Sequence, residues 1–253
     1  MPSELPVAVI TGASSGIGAA TARALAGAGY LPVLGARRLD RLVRVAAETG
    51  GLAFALDVTD PASVEAFLDH VELEAGRADV LVNNAGGALG LTPIAEGDER
   101  DWRSMLDTNV LGLMRVTRAF IPLLRRSPRG HAHIVNMSST AGIETYWGAG
   151  GYAAAKHAVR AISQTLRIEL NGEPIRVTDI APGLVETEFS LVRFKGDQER
   201  ASAPYRGLTP LTGDDVADLI AFAVTRPAHV DIDEIVVRPV AQANSGTVHR
   251  RPS

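Results

Sequence analysis

Apolar and polar positions alternate along the chain so that strand-length apolar runs are separated by helix-length amphipathic stretches. The predicted strands cover residues 5–11, 31–36, 52–57, 80–83, 133–138, 175–180 and 232–237. Several are near-continuous Val, Ile and Leu, the composition of parallel strands buried on both faces. Helical patterns fall between them at 18–28, 39–48, 62–74, 102–125, 153–170 and 214–224. This βαβα order predicts one α/β domain over 1–253, a doubly wound parallel sheet of about seven strands with helices on both faces. Two stretches break the pattern. Residues 186–207 are polar, carry Arg193, Lys195, Arg200 and Arg206 with weak periodicity, and are expected to form a lid over a substrate pocket. The polar tail 242–253 is expected either to be disordered or to dock on a neighbouring subunit.

Composition narrows the function classes. Hydrophobic residues make up 46% of the 253 positions, enough for a large core, and the net charge of −4 offers no basic field to nucleic acid or an anionic membrane. The absence of cysteine removes disulfides, thiolate nucleophiles and zinc–thiolate sites together. No apolar run approaches the roughly 18 residues of a membrane span. The start, Met1-Pro2-Ser3-Glu4, lacks the basic and apolar regions of a signal peptide, so a soluble cytoplasmic protein is expected.

Chemistry first shows after the first strand. Val7-Ala8-Val9-Ile10 runs into Thr11-Gly12-Ala13-Ser14-Ser15-Gly16-Ile17-Gly18, and a helix follows. In a Rossmann-type site Gly12 permits the tight turn, Gly16 lets backbone approach a pyrophosphate, and Gly18 lets helix and strand pack closely. The spacing G-x-x-x-G-x-G departs from G-x-G-x-x-G, but the strand–turn–helix setting is that of a dinucleotide site. The same residues match the G-x-S-x-G elbow of serine hydrolases, and Asp179 with His229 or His249 follows in the required order. That elbow belongs near mid-sheet rather than after the first strand, and nothing upstream supplies an oxyanion loop. A phosphate loop of the Gly-Lys-Ser/Thr kind is absent.

The second strand selects the dinucleotide. An NAD site places a carboxylate at its end to hold the ribose 2′-hydroxyl. Here the strand ends in Ala36, and Arg37 and Arg38 follow, groups that bind a 2′-phosphate through charge-assisted hydrogen bonds. NADP(H) is the expected cofactor.

Tyr152-Ala153-Ala154-Ala155-Lys156 puts a phenol and an ammonium one turn apart on a helix face. A fixed cation favours the phenolate; bringing a tyrosine from about 10 to about 7 requires roughly 4 kcal/mol. Alone this spacing is usually a helix surface, and its company gives it weight. One strand ends in Ser138-Ser139, another opens into Asn83-Asn84-Ala85-Gly86, and Thr108-Asn109 opens or interrupts a long helix. His131 and His133 lie two apart, but no third ligand is placed to complete a metal site, and none is expected.

As a set, these stretches together with Leu56-Asp57-Val58 and Pro182-Gly183 resemble the short-chain dehydrogenase/reductase family from end to end. The resemblance implies that Tyr152 is the general acid in reduction and the base in oxidation. Lys156 would lower the tyrosine pKa and hold the nicotinamide ribose. Ser139, which fits the family pattern better than Ser138, would hydrogen-bond the substrate oxygen, and Asn109 would hold a water joining Lys156 to solvent. The glycine loop, with Ser14, Ser15 and Ile17, would take the pyrophosphate side; Asp57 and Val58 the adenine; and Asn84, Ala85 and Gly86 the adenosine ribose side. Pro182, Gly183, Val185 and Thr187 would meet the nicotinamide amide. The arginine pair resembles the NADP-using branch. Family members pair two long helices between subunits, which implies a homotetramer here.

Within the family the second half is similar to bacterial NADP-dependent 3-hydroxy acid (serine/allo-threonine) dehydrogenases. The carrying stretches are Arg176-Val177-Thr178-Asp179-Ile180, Thr187-Glu188-Phe189-Ser190, Val192-Arg193-Phe194-Lys195-Gly196-Asp197 and the terminal Val248-His249-Arg250. A small 3-hydroxy acid or its semialdehyde is therefore the expected substrate, a neutral ketone or aldehyde the alternative. Trp147 and the glycine-rich stretch 148–151 are expected to shape the pocket entrance. A non-catalytic NADP sensor is the reading of another class; sensors on this fold typically lose Tyr or Lys, and both remain.

Overall fold

The structure, a computed structural model, describes residues 4–251. Met1–Ser3, on which the reading of the polar start partly rests, and Pro252–Ser253 of the tail lie outside the described residues. Seven strands, β1 (Val7–Thr11), β2 (Leu31–Ala36), β3 (Leu52–Ala55), β4 (Val80–Asn83), β5 (Ala132–Met137), β6 (Ile175–Pro182) and β7 (Glu234–Val237), form one parallel sheet in the order β3-β2-β1-β4-β5-β6-β7. The order reverses between β1 and β4, and the crevice outside their carboxyl ends is where open α/β sheets hold ligands.

Alternating strand positions feed two cores. Val7, Val9, Leu81, Ile134 and Val177 face Phe67 of α3 (Pro61–Glu74), Phe120 of α5 (Gly112–Arg125) and Leu166 of α6 (Gly150–Glu169). Ala8, Ile10, Val80, Val82 and Ile180 face Leu25 of α1 (Gly16–Gly27), Leu42 of α2 (Leu39–Thr49) and Ile220 of α9 (Gly213–Val224). Both sheet faces are therefore dry, which is why the strands read as unbroken apolar runs. Helix starts follow local capping: Asp60 accepts from the Ala62 amide at 3.0 Å with Pro61 next in line, and Thr212 with Asp215 forms a capping box.

The single helix expected at 102–125 is three pieces. α4 (Glu99–Leu106) runs into a π-helical turn, Asp107–Leu111, and then into α5. The expected excursion at 186–207 carries α7 (Phe189–Arg193) and α8 (Gln198–Ser202), followed by a 3₁₀ turn at Ala203–Tyr205. Five-residue helices make under two turns, too short to print an apolar period. The tail, to its last described residue, docks on its own chain. Buried Gln242 accepts from the Leu184 amide at 2.9 Å, Ser245 donates from its amide to Glu144 at 2.8 Å, and Arg251 N donates to Gly207 O at 2.8 Å. Polar partners anchor it, and its polar composition hid them. Among the described residues no helix is long and apolar enough to cross a membrane.

At the amino end of the sheet Asp79 ties β1 to the segments before β4 and after α5. Its buried carboxylate accepts from Val7 N at 2.7 Å, from Arg77 Nε and Nη2 at 2.8 and 2.7 Å, and from Ser127 Oγ at 2.5 Å. Asp79→Ala strands the Val7 amide and the Arg77 guanidinium at once. Chemical denaturation should show a loss of about 3–5 kcal/mol; a change under about 1 kcal/mol would assign the junction no structural weight.

Candidate active site

The glycine loop leaves β1 at the switch point. Gly12 and Gly16 hold φ of +66° and +54°, a region that side chains disfavour. A Cβ on Gly18 would lie 2.5 Å from Asn84 Nδ2 and 2.6 Å from Gly12 O, so only glycine fits the approach of helix to loop. Asn84 closes the junction by donating Nδ2 to Thr11 O and Gly12 O at 2.9 and 3.2 Å, while Thr11 Oγ1 accepts from the Asn84 and Ala85 amides at 3.0 Å each. Ser15 precedes α1 in an extended conformation and makes no side-chain cap. The first amides of this twelve-residue helix therefore face the loop, the arrangement that receives a phosphate. Ile17 packs at the edge of the core beneath them.

At the end of β2 the arginines divide. Arg38 turns onto the loop, donating Nε to Ser14 Oγ at 3.3 Å and Nη2 to Ser15 Oγ at 2.6 Å. Its Nη1 and that of Arg41 each donate to Glu188, at 2.7 and 2.6 Å. The two guanidiniums hold the Glu188 carboxyl down at about 2. Arg37 stays exposed, its charge felt at Asp57. Asp57 accepts from Thr59 N and Oγ1 at 3.0 and 2.7 Å, and Val58 is buried against the start of α5, where a Gly112 Cβ would meet it at 2.7 Å. A basic pocket floored by hydroxyls, with Ala36 where a carboxylate would repel, fits a 2′-phosphorylated dinucleotide.

The predicted reacting groups gather at the ends of β4, β5 and β6. Tyr152 and Lys156 are both buried on α6, and Lys156 Nζ lies 5.8 Å from the Tyr152 ring centre and donates to Met137 O at 2.8 Å. The π-helical turn rotates Asn109 inward, where Nδ2 donates to Gly87 O and Met105 O at 2.9 and 2.7 Å. A Cβ on Gly86 would lie 2.6 Å from Asn109 Oδ1 and 3.5 Å from Lys156 Nζ, so that glycine lets asparagine and lysine share one corner. Ser139 caps the 3₁₀ turn Thr140–Gly142 by accepting from Ala141 N at 3.1 Å, and it lies beside the Tyr152 hydroxyl. Ser138 instead faces Gly142, where a Cβ would sit 2.7 Å from its hydroxyl.

Electrostatics depart from the expectation that Lys156 lowers the tyrosine. Burial pushes Tyr152 up to about 12, reinforced by Tyr146, while Ser139 and Arg193 pull it down. Burial pushes Lys156 down to about 8, with Asp179 pushing it up. Lys156 donates to a backbone carbonyl beside the ring, and burial keeps the tyrosine a protonated acid.

Beyond Pro182 the chain crosses back over the glycine loop. Gly183 packs under Gln242, where a Cβ would lie 2.2 Å from Oε1; Val185 bridges to Leu211; and Thr187 comes within 3.3 Å of a Cβ on Gly16. Next to Tyr152 lies a cavity of about 310 Å³ lined by Leu89, Trp102, Met105, Gly148, Tyr152 and Arg193. Trp147 points to solvent, and the stretch 148–151 shapes the entrance because a Cβ on Gly150 or Gly151 would meet Trp102 or Met105 at 2.9 or 2.5 Å. The Arg193 guanidinium stacks 5.2 Å from Tyr152 and 5.5 Å from Tyr146, and donates to the Tyr146 hydroxyl at 2.7 Å. Among the described residues it pairs with no carboxylate, whereas Lys195 is tied to Asp101 at 2.9 Å and exposed Arg206 reaches Ser202 at 3.3 Å.

His131 precedes β5 and does not share a strand face with His133, which is buried with Nε2 2.7 Å from Thr178 Oγ1. Among the described residues no group of three potential ligands is close enough to hold a metal ion. Sequence reasoning missed Arg41, Tyr146 and Glu188. Arg41 follows Arg38 by one helical turn, a readable signal, but the 150-residue separation of Glu188 from Arg38 left none.

The sequence matches the short chain dehydrogenase family over residues 6–197. It is 57% identical to an uncharacterized oxidoreductase of Mycobacterium tuberculosis over 94% of this chain and 93% of that protein. It is 44% identical to sulfoacetaldehyde reductase 2 of Chromohalobacter salexigens over 94% of this chain and 95% of that one. The closed form of a serine dehydrogenase complexed with NADP+ superposes with a TM-score of 0.91 at 41% identity, covering 97% of this chain and 100% of that chain. With the parallel sheet, the glycine loop and the Ser–Tyr–Lys–Asn corner in agreement, the chain belongs to the short chain dehydrogenase family.

Proposed function

We propose that the protein is an NADP(H)-dependent oxidoreductase acting on a small hydroxyl or carbonyl compound whose reacting carbon lies one atom from an anionic head, as in a 3-hydroxy acid or its semialdehyde. The observation that carries this reading is Arg193, a cation stacked on the Tyr152 ring at the cavity wall and paired with no acid among the described residues. Serine and sulfoacetaldehyde, named for two relatives, share that spacing of anion and reacting carbon.

When bound, the nicotinamide supplies or accepts the hydride. Arg38, Ser14, Ser15 and the amides of α1 would hold the phosphates, with Arg41 in reserve beside Glu188, and residues 182–187 would lie along the nicotinamide. Tyr152, protonated at neutral pH, gives its proton to the substrate oxygen during reduction, and Ser139 holds that oxygen in line. The Lys156 ammonium stabilises the phenolate left behind, and Asn109 and Gly86 keep open the corner through which a proton returns. Arg193 fixes the anionic end, which orients the carbonyl and disfavours neutral compounds of equal size. As the cation of segment 186–207 nearest the tyrosine, it gives the proposed lid its function.

Cofactor choice gives one test. The native protein should prefer NADPH over NADH in kcat/KM by about ten- to a hundredfold, a charge-assisted contact being worth roughly 1.5–3 kcal/mol. Arg38→Ala should remove most of that preference, and exposed Arg37→Ala less; equal use of the two cofactors by the native protein would contradict the assignment. Substrate choice gives a second. A 3-hydroxy acid should exceed its carboxylate-free analogue by about ten- to a hundredfold in kcat/KM. Arg193→Ala should erase the difference, while Lys195→Ala and Arg206→Ala retain it. A native preference for the neutral compound would rule out the anionic substrate class.

A further inference from the structure

β6 carries an acid into the interior of the sheet. Asp179 is fully buried, and among the described residues neither carboxylate oxygen has a hydrogen-bond partner. It pairs in register with Asn136 of β5 and Glu234 of β7. Registered neighbours on parallel strands point to the same face. Asn136 reaches across that face to Ser163 of α6, donating Nδ2 at 2.9 Å. The Asp179 carboxylate therefore lies beneath α6, the helix that carries Lys156. One register step along the same strands, Met137 faces Ile180, and the Met137 carbonyl is the anchor of the Lys156 ammonium at 2.8 Å.

The charged groups facing Asp179 are few. α6 contributes Lys156, Arg160 and Arg167, β7 contributes Glu234, and β5 presents neutral Asn136. Arg160 is occupied by Glu234 at 2.9 and 3.0 Å, and Arg167 donates to Val177 O and Asp233 O at 2.9 Å each. Lys156 is the cation left to answer the carboxylate. A carboxylate that makes no hydrogen bond and sits out of water destabilises the fold it belongs to. Its place one step from a buried ammonium gives it another use.

We propose that Asp179 is a positioning residue for Lys156, its buried negative charge keeping the lysine an ammonium beneath Tyr152. This rests on the reading of Tyr152 and Lys156 given above. Burial lowers Lys156 to about 8, and Asp179 is the group that opposes this. Asp179 is itself lifted to about 7, first by burial and then by Glu234, with Lys156, Arg167 and Arg160 pulling it back. Burial thus brings the two groups toward each other, lowering the ammonium and raising the carboxyl; the carboxylate acts on the lysine only once it is deprotonated, on the alkaline side. Without the carboxylate no neighbouring charge opposes burial at Lys156, so its proton leaves at lower pH.

The sign of the stability effect is opposite to that of an ordinary paired acid. A carboxyl whose folded pKa is raised binds its proton more tightly in the native state, so stability falls as pH rises from the unfolded value of about 4 toward about 7. Replacing Asp179 removes that slope.

The test is the pH profile of NADPH-dependent reduction, kcat/KM from pH 6 to 10, in the native enzyme, Asp179→Asn, Asp179→Ser and Lys156→Met, with thermal unfolding and NADPH affinity alongside. Both Asp179 variants should move the alkaline limb down by about one pH unit or more. That shift is a loss of about tenfold near pH 8 and much less at pH 6. Their thermal midpoints at pH 7 should equal or exceed the native value, and NADPH affinity should stay within a few-fold. An unmoved limb in both variants overturns the proposal, whatever the change in amplitude. So does an Asp179→Asn protein that fails to fold, since the carboxylate would then be structural. Lys156→Met should be inactive; full activity there overturns the proposal together with the reading of the site. Inactive Lys156→Met with an unmoved limb in Asp179→Asn removes the proposal alone.

Discussion

Lys156 sits out of water at the carboxyl end of the sheet, its Nζ bound to the Met137 carbonyl and its charge opposed by burial. An ammonium in that place needs an acceptor, and the Met137 carbonyl supplies it. β5 ends where its last carbonyl meets the amine, the π-helical turn swings Asn109 into the same corner, and Gly86 keeps the corner open. α6 then places Tyr152 one turn before the lysine, under the guanidinium of Arg193. Remove the lysine, and the inward turn of Asn109 and the glycine at 86 lose their common purpose.

The cofactor side is built on a different constraint, the close approach of backbone to backbone. Gly12, Gly18, Thr11 and Asn84 stitch β1, α1 and the mouth of β4 into one rigid turn. The segment after β6 is tied to this turn twice, through Thr187 over Gly16 and through Glu188 between Arg38 and Arg41. Glu188 adjoins α7, which ends in Arg193, so the arginines at the adenosine end and the cation at the substrate cavity are joined by a few residues of chain. The proposed cofactor and substrate sites thus share one wall.

The sheet was legible because parallel strands dry on both faces print continuous apolar runs, and the seven predicted strands occur with ends displaced by a few residues. The Tyr152–Lys156 pair was legible because a helix converts the spacing of four into proximity. Other features depend on contacts that leave no local trace. The π-helical turn at Asp107–Leu111 looks like the middle of a long helix, and the helices of 186–207 are too short to print a period. The tail docks through polar contacts at Gln242, Ser245 and Arg251 rather than through an apolar face. The direction of the tyrosine shift was misread for the same reason: helix spacing places a cation nearby, but only the folded site shows that burial outweighs it. That Arg38 rather than Arg37 turns onto the loop was likewise beyond the sequence, since both follow the strand.

The proposed proton donor in carbonyl reduction is the protonated Tyr152. Steady-state turnover and NADPH binding measured together in Tyr152→Phe test it most directly, because the ring is kept and only the hydroxyl is lost. Turnover should be lower by about 10²–10⁴-fold, the usual contribution of a general acid, with NADPH affinity within a few-fold of native. Turnover near the native rate in a variant that still binds NADPH would contradict it.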